Sequence, residues 1–178
     1  MAPPRDSAPE FARPIEAAQI GAAERVIEIA ADAGERAALA RRFDLLALDR
    51  FEARVRLRRL GSGVIRLSAE ISAEMVQACV VTLEPVASRI DEAFSLLYGI
   101  VEETREVALD AEAEDVEPLV AGMIDIGEAA AQQLSLSLNP FPRAPEAFAL
   151  PAAPPKEAAL DSPFAVLKTR HKRGKPRG

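Results

Sequence analysis

The clearest pattern in the chain is a strict alternation from Phe51 to Arg58. Phe51, Ala53, Val55 and Leu57 take turns with Glu52, Arg54, Arg56 and Arg58. Neighbouring side chains on a strand point to opposite faces, so the run predicts a half-buried strand with a basic outer face. Gly61-Ser62-Gly63 supplies a turn, after which Ile65, Leu67, Ala69 and Ile71 alternate with Arg66, Ser68, Glu70 and Ser72. Together the runs predict an antiparallel hairpin. The second strand is expected to continue or restart through Met75 to Leu83. It loses its alternation at Cys79, Val80 and Val81, as a strand covered on both faces would, until Pro85 breaks it. The stretch RIDEAFSLLY is ambiguous: Ile90, Phe94 and Leu97 fit a helix, whereas Ile90, Phe94, Leu96 and Tyr98 fit one side of a strand.

Two segments carry helix signals. Asp32 precedes AGERAALARRF, with Glu35 at the spacing of a capping box. Leu39, Ala40, Phe43 and Leu46 recur at helical intervals, and Arg41 and Arg42 fall where cations favour a helix C-terminus. Asp125 and Glu128 repeat the acid-cap spacing ahead of IGEAAAQQLSLSL, whose Ile126, Ala130, Leu134 and Leu138 form one apolar stripe. Asn139-Pro140 ends that helix. Arg25 to Ile29 predicts a short strand, and Leu119, Val120, Met123 and Ile124 form a strand-like run after Pro118. Pro3, Pro4, Pro9 and Pro14 mark an extended N-terminal arm in which Phe11 and Ile15 are placed to pair at a sheet edge.

The fold class is therefore α+β: an antiparallel β-sheet, with barrel-like closure left open as an alternative, and two main helices packed on it. The sheet runs from about Phe51 to Tyr98 and is extended by the early strands and the strand before Asp125. The expected organisation is an N-terminal arm over 1–10, one domain over 11–139, a Pro/Ala-rich linker over 140–161, and a hydrophobic patch, SPFAVLK, with a basic tail over 162–178.

Composition fits this size of core: 178 residues allow one domain plus extensions, with 49% hydrophobic residues but no tryptophan. The start, MAPPRDSAPEF, lacks the apolar run of a secretory signal, and Asp6 and Glu10 argue against a transit peptide. With no membrane-length apolar stretch and one cysteine, the expectation is a soluble cytoplasmic protein. Charge is unevenly distributed. Six Lys or Arg and no acid lie between Lys168 and Gly178, so the rest of the chain carries −12 of a total that is only −6. Glu102 to Glu117 holds eight acids against one base, Arg105.

Dense cationic charge on a tail attracts phosphate backbones and releases counterions without reading sequence. Lys168, Arg170, Lys172, Arg173, Lys175 and Arg177 are thus the candidate nucleic-acid-binding residues, with Arg54, Arg56, Arg58 and Arg66 placed to extend the footprint. Solvated strand residues without a ligand are the commoner explanation for the latter four. Few aromatics are left over from the apolar stripes for base stacking.

Enzyme chemistry finds little support. Cys79 is the only cysteine and His171, in the tail, the only histidine, which argues against a Cys–His dyad and leaves too few ligands for the chain to build a four-ligand zinc site alone. Cys79 reads as a small buried apolar residue. The nine glycines form no nucleotide-binding signature. No catalytic residue, metal or cofactor is assigned.

CVVTLEPV with IDEAFSLLY, then EPLVAGMIDIGEAAAQQLSLSLNPFPRAP, then SPFAVLK, resemble the bacterial YceD family, named for large ribosomal RNA subunit accumulation, across about residues 10–168. The resemblance implies a non-enzymatic role in producing or maintaining large-subunit ribosomal RNA. It also implies a link to a small zinc-binding protein of that subunit, and it tilts RIDEAFSLLY toward strand. Many relatives resemble a CxxC at the position of Cys79 and carry further cysteines after the final helix. Here Thr82 takes the second position and NPFPRAPEAF has no cysteine, so a zinc function is not carried by this chain alone. Two modes of action follow: binding RNA, or acting as an adaptor or chaperone that holds a basic ribosomal protein through the acidic segment.

Overall fold

The computed structural model describes residues 9–149, apart from 62 and 100–115. In chain order the elements are β1 (Pro14–Glu16), β2 (Arg25–Ala30), α1 (Ala33–Arg42), β3 (Ala47–Arg59), β4 (Ile65–Ala78), β5 (Pro85–Gly99), β6 (Val116–Pro118), β7 (Met123–Asp125) and α2 (Ile126–Ser137). The chain divides after Ala144, and the described part of the second unit is a single 3-10 turn, Pro145–Ala149. The acidic segment as far as residue 115, the SPFAVLK patch and the basic tail lie outside the described residues.

The long hairpin is the frame of the fold. β3 and β4 pair antiparallel from Arg59↔Ile65 back to Ala47↔Val76, and β4 pairs antiparallel with β5 from Ile65↔Tyr98 to Ala78↔Pro85. RIDEAFSLLY is thus strand. β2 adds to the free side of β3, and β6 adds to β5 in parallel, giving the order β2-β3-β4-β5-β6. This sheet is open, with β2 and β6 as its edges, so it does not close into a barrel.

Alternation decides which face is buried. Phe51, Ala53, Val55 and Leu57 on β3, and Ile65, Leu67, Ala69, Ile71 and Met75 on β4, form the core face. Leu57, Leu67 and Leu96 stand side by side across three strands, and Phe94 lies opposite the small Ala69. Ile126, Ala130 and Leu134 of α2 complete the core as one buried stripe, whereas Leu138 lies beyond the helix end and only partly buried.

Four local expectations are corrected. The strand before Asp125 does not extend the main sheet. Ala121 and Gly122 take φ values of 51° and 73°, turning the chain between β6 and β7, and β7 pairs with β1 in a separate two-stranded sheet. At α1, Asp44 (φ 54°) ends the helical path before Leu46, which is 58% exposed and donates its N–H to the Val76 carbonyl. The strand expected over Met75–Leu83 stops at Ala78. Alternation is lost at Cys79–Val81 because the chain turns there, with Leu83 at φ 63°, and Val80 and Val81 are exposed. Pro85 opens β5 rather than breaking a strand, a position where the missing N–H is tolerated.

Both predicted caps form. At α1 the box is reciprocal: Glu35 N–H donates to Asp32 (2.8 Å) and Asp32 N–H to the Glu35 carboxylate (2.9 Å). At α2, Asp125 Oδ1 accepts from Gly127 and Glu128 (3.0 Å each) and also from the N–H of Arg13 (2.8 Å). Glu128 does not reach back. Its carboxylate is held by both Nη atoms of Arg42, at 2.8 and 2.7 Å.

The segment around Phe11 belongs to the core. Phe11 is fully buried with its ring 5.3 Å from that of Phe51, and the Arg13 guanidinium lies 4.6 Å from the Phe11 ring centre while binding Glu35 bidentately.

Candidate nucleic-acid interface

With one sheet face committed to the core, the outer face is the extended surface left to a ligand. Its cross-strand rows are defined by the register. Glu28, Arg54 and Glu70 form one row, Ala30, Glu52, Ser72 and Asp91 the next, and Arg50, Glu74 and Arg89 the one after. Arg50 and Glu52 pair at 2.6 Å, and Arg89 pairs with Asp91 at 2.6 Å. In the middle lies an open depression of about 660 Å³ over Glu28, Glu52, Arg54, Glu70, Ser72 and Asp91. With Glu92 also on its lining, five carboxylates to one guanidinium make it a poor seat for an anion.

Toward the turn at 61–63 the sign changes. Arg56 still reaches Glu70 at 2.9 Å, but the following row places Arg58 directly opposite Arg66, both exposed, with Leu97 next across. Of the four outer-face arginines singled out in the sequence, Arg54 (3.8 Å from Glu28) and Arg56 are thus held by glutamates. Arg59, on the opposite face of β3, is structural: its guanidinium donates to the carbonyls of Ile20, Gly63 and Ala17. The tail cations Lys168, Arg170, Lys172, Arg173, Lys175 and Arg177 fall outside the described residues.

Cys79 sits at the start of the β4–β5 turn, fully buried. Its Sγ accepts N–H donors from Val81 (3.4 Å), Thr82 (3.4 Å) and Ala144 (3.3 Å). The post-helix segment is fastened to the same turn, since Val80 N–H donates to the Pro142 carbonyl (2.9 Å) and Gln77 to that of Asn139 (3.1 Å). A hydrogen bond from the Thr82 side chain, then the N–H groups of Ala144, Thr82 and Val81, pull the thiol down to about 6 against the opposing cost of burial. These backbone donors are functional neighbours that side-chain identities do not reveal. No pattern in the sequence marked the turn that folds over the sulfur, since Cys79 to Val81 read as strand.

A lowered thiol invites a metal, but the donors around it do not fit one. The groups that approach the sulfur are donors, among them the backbone N–H groups of Val81, Thr82 and Ala144, and the chain has no second thiol. Among the described residues no three His, Cys, Asp or Glu side chains are grouped to hold an ion. Tyr98 has its phenol pushed up by burial and by Glu117, which makes it a poorer proton donor. Among the described residues no helix is long and apolar enough to cross a membrane.

No curated protein and no solved structure matches the chain significantly. A family profile does: Large ribosomal RNA subunit accumulation protein YceD matches residues 67–176. The match begins in β4, the central strand of the five-stranded sheet, takes in the Cys79 turn and α2, and reaches into the basic tail. Because it spans more than half of the sequence, the chain belongs to the YceD family.

Proposed function

We propose that this protein supports the accumulation of large-subunit ribosomal RNA by binding, without catalysing a reaction, and that it does so in the cytoplasm. The observation that carries this reading is the cluster of six cations without an acid at Lys168, Arg170, Lys172, Arg173, Lys175 and Arg177 in a member of this family. Such a tail engages phosphates of the ribosomal RNA or its precursor through counterion release. In this reading residues 11–139 are the family domain, 140–161 a spacer whose first residues rest on the β4–β5 turn, and 162–178 the RNA-contacting end. Replacing the six tail cations with Gln in cells is expected to lower large-subunit RNA relative to small-subunit RNA. Unchanged levels, with the variant present at normal abundance, would refute the reading.

A second reading is favoured by the eight acids of Glu102–Glu117: an adaptor or chaperone for a basic ribosomal protein of the large subunit, such as a small zinc-binding one, without direct RNA contact. Neutralising those acids would then abolish capture of that protein and leave RNA binding intact.

A further inference from the structure

We infer that Phe141 is a stacking platform for an unpaired RNA base, set on the folded domain beside the β4–β5 turn. This rests on the RNA-binding reading above and adds to it a preference that charge alone does not give, for single strands over duplex.

Phe141 is 69% exposed, and among the described residues no other aromatic side chain is exposed to this degree. Phe11 and Phe51 are buried against one another, Tyr98 is buried, and Phe43 and Phe94 pack on the core. A single exposed ring is ordinary, but this one is also held in place. Its own N–H donates to Asn139 Oδ1 (2.9 Å), the carbonyl of Pro142 accepts from Val80 N–H (2.9 Å), and that of Asn139 accepts from Gln77 (3.1 Å). Pro140 and Pro142 flank it and fix φ on both sides. Pro142 and Ala144 are buried, so the backbone is seated on the domain while the ring stays in solvent.

The turn to which this segment is bonded is apolar as well. Val80, Val81 and Leu83 are all exposed, and Leu83 takes a left-handed φ of 63°, uncommon for a bulky side chain. Exposed apolar side chains gathered on two bonded segments mark an interaction site.

Charge chooses the partner. Single-strand binding combines cations that track the phosphates with aromatic rings on which bases stack, and every base has a π-face to offer. The chain carries six cations without an acid from Lys168 to Arg177, and Phe141 supplies the ring that this combination requires. A paired base keeps its faces inside the duplex, so unpaired RNA is what reaches the ring.

The chain has no tryptophan, so Phe141→Trp places a single reporter at the site. Full-length native, F141W, F141L and F141A proteins are titrated with a short oligoadenylate and with a short RNA duplex between about 50 and 200 mM salt, followed by fluorescence anisotropy of labelled RNA. F141A is expected to weaken single-strand binding about 5- to 150-fold, the range for one stacked base, and to leave duplex binding unchanged. The slope of log K against log salt should not move, because no phosphate contact is lost. F141L should lose as much as F141A, since it keeps apolar bulk without a π-face. F141W should bind at least as tightly as the native chain, its emission quenched by the oligoadenylate and not by the duplex. Equal thermal midpoints keep folding out of the comparison. Native affinity in F141A or in F141L, while the native chain binds RNA, overturns the inference and leaves the tail-based reading standing. Absence of RNA binding by the native chain overturns both. Loss in F141A of self-association, or of binding to an apolar protein segment, with RNA binding intact, assigns the surface to protein and also overturns it.

Discussion

The carbonyl oxygen of Phe11 lies 2.0 Å from the point that a β-carbon on Gly127 would occupy. The N-terminal segment therefore crosses the first turn of α2 in backbone contact, with Arg13 donating to Asp125 and accepting from Ile126 N–H (3.2 Å). Only a residue without a side chain permits that crossing.

Gly127→Ala should destabilise the domain despite the roughly 1 kcal/mol that alanine usually contributes over glycine within a helix. The added carbon meets backbone rather than a side chain that can swing aside, so a net loss on the order of 2 kcal/mol is expected in urea unfolding. Gly34→Ala in α1 is the control: its β-carbon would meet only the Asp32 side chain, at 3.3 Å, and a change near zero is expected. Equal effects at the two sites would show that the crossing is not a tight one.

Arg42 ties α1 to α2 through Glu128, and its hydrogen bond holds the Glu128 carboxylate below the usual range. Arg42→Ala should cost about 1 kcal/mol, the scale of a partly screened bidentate pair. The pH dependence has a definite sign. A lowered folded-state pKa contributes fully above the ordinary value of 4.5 and fades as pH falls through the folded value. The difference between native and Arg42→Ala proteins should thus shrink below that pH, which unfolding curves taken across the acid range will reveal.

Cys79→Ser should fold with a lowered thermal midpoint and keep RNA binding, since the shorter oxygen cannot serve three N–H donors set for sulfur. The thiol titrates near 6 in the folded chain against 9.0 for an ordinary cysteine. Its contribution is therefore full above pH 9.0, declines as pH falls from there toward 6, and is absent below. The gap between native and Ser proteins should follow that course in urea midpoints. Burial should keep alkylation by iodoacetamide slow while the fold is intact, and zinc should leave the native midpoint unchanged.

Neutralising the six tail cations should flatten the salt dependence of single-strand RNA binding by up to about 4 in log–log slope. An anisotropy titration over salt reads this directly. A slope that stays as steep would place the phosphate contacts elsewhere on the chain.

The sheet was legible because its hairpin alternates with period two over long strands, and the caps because Asp32 and Asp125 stand at fixed distances from the donors they serve. The Cys79 turn was not, because Cys-Val-Val reads as a buried strand by composition, and a single left-handed residue, Leu83, decides otherwise. The pairing of β7 with β1 was equally hidden. Three-residue strands carry too little pattern to choose between two available edges. On the outer face, composition located the arginines, but only the folded sheet tells Arg54, which stands between Glu28 and Glu70, and Arg56, which reaches diagonally to Glu70, from Arg58, which faces another arginine.

The contact between Arg13 and Asp125 spans 112 residues of chain. During synthesis the N-terminal segment leaves the ribosome first, yet its partner strand and helix come late. At about 5–20 residues per second, Phe11 and Ile15 wait some 6–22 s before β7 and α2 exist to receive them. Until then the long meander can form but its core lacks both a lid and the buried Phe11 ring. Closure of the domain is thus timed by translation, as the last act of a protein whose own proposed task lies in making ribosomes.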